Sequence, residues 1–139
     1  MKARILLTAP GSGSGKTMIS IALMAALKKL GHSVSAYKCG PDYIDPMFHR
    51  KALGIPSSNL DPFFCDNENL SQVLANGLTK NDIGVIEGVM GYYDGYGIEG
   101  KASTWEVADI TDTPSILIVN AKGMSLSVIS LIRGFLEVP

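Results

Sequence analysis

Ile5-Leu6-Leu7-Thr8-Ala9-Pro10-Gly11-Ser12-Gly13-Ser14-Gly15-Lys16-Thr17 joins an apolar run to a glycine-rich turn and then to the start of a helix. A triphosphate needs many donors at close range. Backbone amides in a tight loop supply them only where glycine removes the Cβ or permits positive φ. Gly11, Gly13 and Gly15, with Ser12 and Ser14 between them, meet that need. The helix opening at Thr17 adds free amides and the positive end of its dipole. Lys16 can reach the β and γ phosphates, and the Thr17 hydroxyl can ligate Mg²⁺. The strict pattern asks for glycine where this chain has Pro10, so Gly11 stands one place late. A glycine/serine linker lacks a flanking strand and a long amphipathic run, and the stretch is therefore read as a nucleotide site.

At 139 residues, with 46% hydrophobic and 18% charged, the chain is expected to form one packed domain. A formal net charge of −1 gives no field to hold a polyanion and argues against a nucleic-acid partner. The apolar run after Lys2 and Arg4 stops at Pro10-Gly11, too soon for a signal peptide, and no later run approaches a membrane span. Cys39 and Cys65 share no short spacing, so neither a disulfide framework nor a zinc knuckle is indicated, and a reducing cytoplasm is expected.

Beyond the loop, Ile19, Leu23, Ala26, Leu27 and Leu30 recur on a helical period from Met18 to Leu30, with Gly31 at the place of a left-handed cap. Val34 to Cys39 reads as the second strand of a right-handed crossover, which predicts a doubly wound, mainly parallel α/β sheet. Past the end of that strand, Asp42 and Asp45 stand three apart on the edge where open sheets bind ligands; turn and helix-cap roles with Pro46 at the first helical position are the bland alternative, and the ligand edge is the preferred reading. Met47 to Leu53 predicts a short helix stopped by Gly54, and Pro56 to Asp61 a loop. Pro62-Phe63-Phe64 reads as buried or substrate-facing. Leu70, Val73, Leu74 and Leu78 predict a helix over Asn67 to Leu78. Ile83 to Ile86 is a third strand ending at Glu87, placed to complete a Mg²⁺ shell with the loop hydroxyl. Tyr92 to Lys101 is an aperiodic loop carrying Asp94. Ser103 to Glu106 is a capping box that starts a short helix, Ser115 to Val119 a fourth strand, and Ser125 to Leu136 an apolar helix. A doubly wound domain would return to the sheet after that helix, so an incomplete domain is expected.

Three further segments narrow the reading. Lys38-Cys39-Gly40-Pro41-Asp42-Tyr43-Ile44-Asp45-Pro46-Met47-Phe48-His49 resembles a signature of cobyrinate a,c-diamide synthases, and Asn59-Leu60-Asp61-Pro62 and Ile86-Glu87-Gly88-Val89-Met90-Gly91-Tyr92-Tyr93-Asp94-Gly95 resemble the next two. The resemblance runs from the N-terminus to about Asp109 and implies kinship with dethiobiotin synthetase-like ATPases. It implies ATP-dependent, glutamine-dependent amidation of the a and c acetate side chains of cobyrinic acid in cobalamin biosynthesis, or of a related nickel tetrapyrrole.

Carried over by residue, the resemblance puts the ATP phosphates on Gly11 to Thr17 and Mg²⁺ on Thr17 and Glu87 with help from Asp42. Lys38 faces the γ-phosphate beside Lys16. Asp45 and Asp94 sit in loops that orient the tetrapyrrole or the ammonia, with Tyr43, His49 and Ser103 as further substrate residues. Some relatives use a lysine across a dimer interface at the position of Gly11, which glycine cannot replace. Family members continue into a glutamine amidotransferase domain with a catalytic Cys and His. Nothing of it is present here, so the ammonia is expected from a missing C-terminal domain and the fragment alone should not amidate. Surface exposed by truncation would favour a homodimer. The rivals are a stand-alone dethiobiotin synthetase-like ligase or kinase and a phosphate-loop regulator that dimerises on ATP.

Overall fold

A computed structural model describes residues 2–137. Strands and helices alternate as β1 (Ala3–Thr8), α1 (Lys16–Lys29), β2 (Val34–Cys39), α2 (Ile44–Leu53), β3 (Ser57–Leu60), α3 (Asn67–Lys80), β4 (Ile83–Glu87), α4 (Thr104–Ile110), β5 (Ser115–Leu117) and α5 (Ser127–Glu137). The five strands form one sheet in the order β3-β2-β4-β1-β5, and every pair is parallel.

The two-residue period of the strands divides the core into two layers. Leu7, Ala36 and Val85 point to one face and meet Met24 of α1, whereas Leu6, Tyr37, Cys39 and Ile86 point to the other and meet Leu70, Leu74 and Leu78 of α3 and Val107 of α4. The crossover from β1 to β2 passes on the α1 face, and the crossover from β4 to β5 passes on the α4 face. The chain therefore leaves the adjacent strands β1 and β4 in opposite directions, which opens a crevice at their carboxyl ends. That crevice positions the site.

Four expectations are corrected. Pro56 to Asp61 is not a loop throughout, since Ser57–Leu60 pairs with β2 as an edge strand, and only Leu60 of its four residues is apolar and buried. A period-2 signal is weak when one face of a short edge strand carries serines. In α1 the inward face is Lys16, Ser20 and Met24, flanked by Leu23 and Leu27, while Ile19 and Leu30 are 44% and 75% exposed. The helix is rotated to turn Lys16 and Ser20 toward the end of the sheet. Helix α2 starts earlier than the sequence suggested, at Ile44, because the Asp42 carboxylate accepts from the Ile44 amide at 2.8 Å and caps the turn. Phe63 and Phe64, read as buried or substrate-facing, are exposed in the turn after β3, which removes the first of those alternatives.

The apolar helix α5 forms as expected, yet none of its described residues is buried. Tyr93 ties it to the fold: its hydroxyl donates to the Phe135 carbonyl at 2.8 Å and its ring stacks on Phe135.

Candidate nucleotide site

Gly13 and Gly15 hold φ of 75° and 89°, the left-handed region that disfavours a Cβ, and on the ideal Cβ directions of Gly11, Gly13 and Gly15 no atom lies within 4 Å. The loop is thus wrapped around open space. Ser14 Oγ donates to the Gly11 carbonyl at 2.9 Å and closes the turn. Ser12, Gly13, Gly15, Lys16 and Thr17 line one side of a cavity of about 450 Å³, and Lys38, Asp42, Asp45 and Met90 line the other.

Lys16 Nζ reaches across the mouth to the Gly11 carbonyl at 3.0 Å and the Met90 carbonyl at 2.5 Å. Burial pushes this amine below its ordinary range, and nearby Lys38 adds to the effect. A cation held by carbonyls alone is available for a stronger anionic partner.

Behind the cavity lies a dense charge cluster. Lys38 on β2 and Glu87 on β4 are register partners, and both side chains point to the α1 and α2 face. Glu87 is almost fully buried, and each of its carboxylate oxygens is engaged. Oε1 accepts from Thr17 Oγ1 at 2.6 Å and from Lys38 Nζ at 2.8 Å, and Oε2 accepts from Ser20 Oγ at 2.5 Å. Burial alone would raise the pKa of Glu87, but Lys38 and the two hydroxyls outweigh it and hold the group below the usual carboxylate range. Burial likewise works against the Lys38 ammonium, and Asp45 and Glu87 more than offset it. Lys38 also pairs with Asp45 at 2.7 Å and approaches Asp42 at 3.8 Å.

Asp42 combines the two roles the sequence left open, because Oδ1 caps α2 while Oδ2 faces Lys38 and the cavity. Asp45 lines the cavity from a helix and not from a loop. It sits in the first turn of α2 and neutralises Lys38. Tyr43 precedes α2 and is 80% exposed at the rim. Asp94 is exposed, and its Oδ2 accepts from the Gly91 amide at 2.9 Å. It borders a neighbouring cavity of about 500 Å³ with Tyr93 and Trp105, and Met90 is shared by both cavities.

Of two further substrate assignments, that of His49 is corrected. Ser103 is nearly fully buried, and its Oγ caps α4 by accepting from the Glu106 amide at 3.2 Å. His49 has no exposed surface at all, since α2 turns its ring inward against β3. The His49 ring cannot present itself to a ligand in this conformation, whereas Ser103 also lines the cavity of about 500 Å³ beside Asp94.

Ser20, Met90 and Asn59 are contributors that the sequence reading missed or undervalued. Asn59 Nδ2 donates to the Gly40 and Asp42 carbonyls at 2.8 and 2.7 Å and so fixes the turn after β2. A serine three residues after Thr17, on a helix face that also carries Lys16, was the available signal for Ser20. Met90 takes a left-handed φ of 47°, which aims its carbonyl at Lys16, and no sequence pattern announces that.

A parallel sheet with a phosphate loop after its first strand and a buried carboxylate after an adjacent one defines a phosphate-loop nucleotide-binding domain. The profile of the CobQ/CobB/MinD/ParA nucleotide binding domain matches residues 5–134, and the chain belongs to that family. It is 44% identical over 132 residues to a cobyrinate a,c-diamide synthase of Thermoplasma volcanium, covering 95% of this chain and 29% of that protein. It is 46% identical over 135 residues to a hydrogenobyrinate a,c-diamide synthase of Streptomyces coelicolor, covering 96% of this chain and 28% of that one. The chain therefore spans less than a third of the length of these relatives. The crystal structure of hydrogenase maturation factor HypB from Archaeoglobus fulgidus aligns with 98% of this chain at 13% identity and a TM-score of 0.48. Among the described residues no helix is long and apolar enough to cross a membrane.

Proposed function

We propose that this chain is the ATP site of an a,c-diamide synthase acting on a cobyrinate-type tetrapyrrole in cobalamin biosynthesis. The observation that carries the reading is the convergence of Lys16, Lys38, Thr17 and Glu87 on one open phosphate cradle. Its support from relatives is the identity to proteins bearing that name.

The residues present fit Mg²⁺ entering with its nucleotide. Among the described residues no three His, Cys, Asp or Glu gather into a cage, whereas Thr17 Oγ1, Glu87 and Asp42 offer the few oxygens that Mg²⁺ takes beside phosphate and water. When bound, the ion would neutralise charge on the β and γ phosphates. Lys16 exchanges two carbonyl partners for phosphate oxygens. Lys38, kept protonated by Asp45 and Glu87, faces the same space and opposes the charge that develops on the transferred group. A tetrapyrrole carboxylate oxygen attacks the γ-phosphorus and ADP departs, leaving an acyl phosphate. Ammonia then attacks the acyl carbon, phosphate departs, and an amide remains after loss of a proton. The ammonia is drawn from glutamine by a part of the relatives that this chain does not span, and Asp94, beside the second cavity, orients the acceptor.

The test is trapping. Incubation with ATP, MgCl₂, cobyrinic acid and hydroxylamine should give a tetrapyrrole hydroxamate and stoichiometric phosphate, with Asp94→Asn sharply reduced. ATP turnover that ignores cobyrinic acid would instead favour a ligase or kinase of another substrate.

A further inference from the structure

His49 is a fully buried polar side chain of α2 to which the proposed reaction gives no task. Its ring is fully buried. Nδ1 lies 3.1 Å from Ser57 Oγ on β3, Nε2 has no hydrogen-bond partner, and that nitrogen stands 3.9 Å from Glu87 Oε2. A neutral imidazole carries one N–H, and a serine hydroxyl can donate to the other nitrogen. With Ser57 donating to Nδ1, the N–H resides on Nε2 and faces the Glu87 carboxylate. An orphaned donor pointed at a buried anion is not explained by packing, because an apolar ring would fill the same space without the unmet bond.

The Glu87 partners make the consequence specific. Thr17 and Lys38 hold Oε1, and only Ser20 hydrogen-bonds Oε2. If the Thr17 hydroxyl serves a metal, the carboxylate loses one of its anchors at the moment its orientation matters.

We propose that His49 is a positioning residue for the nucleotide site: through Nε2–H it steadies the Glu87 carboxylate from behind, and through Nδ1 it ties that carboxylate to the β3 edge strand. The proposal rests on the reading that Glu87 serves Mg²⁺. Partners behind a metal's carboxylate commonly change metal affinity 10- to 100-fold when removed.

The experiment compares His49→Gln, which keeps a donor near the Nε2 position, with His49→Asn, which keeps only the Ser57 side, and His49→Leu. ATP affinity is measured calorimetrically with Mg²⁺ and with EDTA. The expected result is a loss of about tenfold in His49→Leu and His49→Asn with Mg²⁺ only, largely restored in His49→Gln. Parallel losses with and without Mg²⁺, or equal losses in all three variants, would make His49 a packing residue and overturn the proposal. A second measurement does not need nucleotide: a double-mutant cycle of His49→Leu with Glu87→Gln on the unfolding equilibrium. Coupling of about threefold or more supports the contact, and strict additivity overturns it. If the parent chain binds no ATP while the cycle shows coupling, the ATP reading fails and the His49–Glu87 contact stands.

Discussion

Lys38 and Glu87 face each other in register on neighbouring parallel strands, with Nζ and Oε1 2.8 Å apart and both side chains withdrawn from solvent. In a fold whose other inward β2 and β4 positions on this face are apolar, this pair marks where the core ends and the site begins. Removing one partner of a buried ion pair leaves an uncompensated charge and costs about 3–5 kcal/mol. Lys38→Met should therefore lower unfolding stability by that order at neutral pH. Adding Glu87→Gln to Lys38→Met should recover part of the loss, as read by chemical denaturation.

A second prediction concerns the layer behind the sheet. A Cβ at Gly77 in α3 would lie 2.0 Å from the Tyr37 hydroxyl, which donates to the Leu74 carbonyl at 2.9 Å. Alanine gains about 1 kcal/mol of helix propensity over glycine, but overpacking a core costs about 1–3 kcal/mol. With a 2.0 Å clash the second term wins. Gly77→Ala should lower the melting temperature, and the same change in a Tyr37→Phe background should cost less than in the parent.

Cys39 supplies a pH dependence on the alkaline side. Complete burial pushes its thiol from 9.0 up to about 12. The unfolded chain therefore releases this proton before the folded one does, so the folded state binds more protons and stability falls as pH rises. The decline runs from about 9 toward about 12. Cys39→Ala should flatten that part of the profile, measured as denaturation midpoint against pH. The burial of this thiol has its physical cause in the apolar layer formed with Leu60, Leu70 and Val107.

Much of this was legible because several segments obey strong local rules. The glycine loop, the β2 apolar run, the Gly31 and Gly54 caps and the Leu70-Leu74-Leu78 stripe each follow from φ preference or periodicity. Strand β3 was not legible, because Ser57, Ser58 and Asn59 form it through edge pairing and through bonds to other segments. The rotation of α1 was hidden because polar Ser20 outranks apolar Ile19 for burial once Glu87 needs a donor. The directions of Asp45 and His49 depend on α2 beginning at Ile44, a start set by the Asp42 cap, which no local pattern announces.

The glycine loop and Lys16 are proposed to hold nucleotide phosphates in the cavity that Lys38 lines and Glu87 backs. Calorimetric titration of this chain and of Lys16→Ala with Mg²⁺ and ATP tests this role most directly. The parent should bind saturably and one to one, and Lys16→Ala should lose at least about tenfold in affinity, the scale of one charge-assisted hydrogen bond. Absence of binding by the folded parent, or equal affinity in the two proteins, would contradict it.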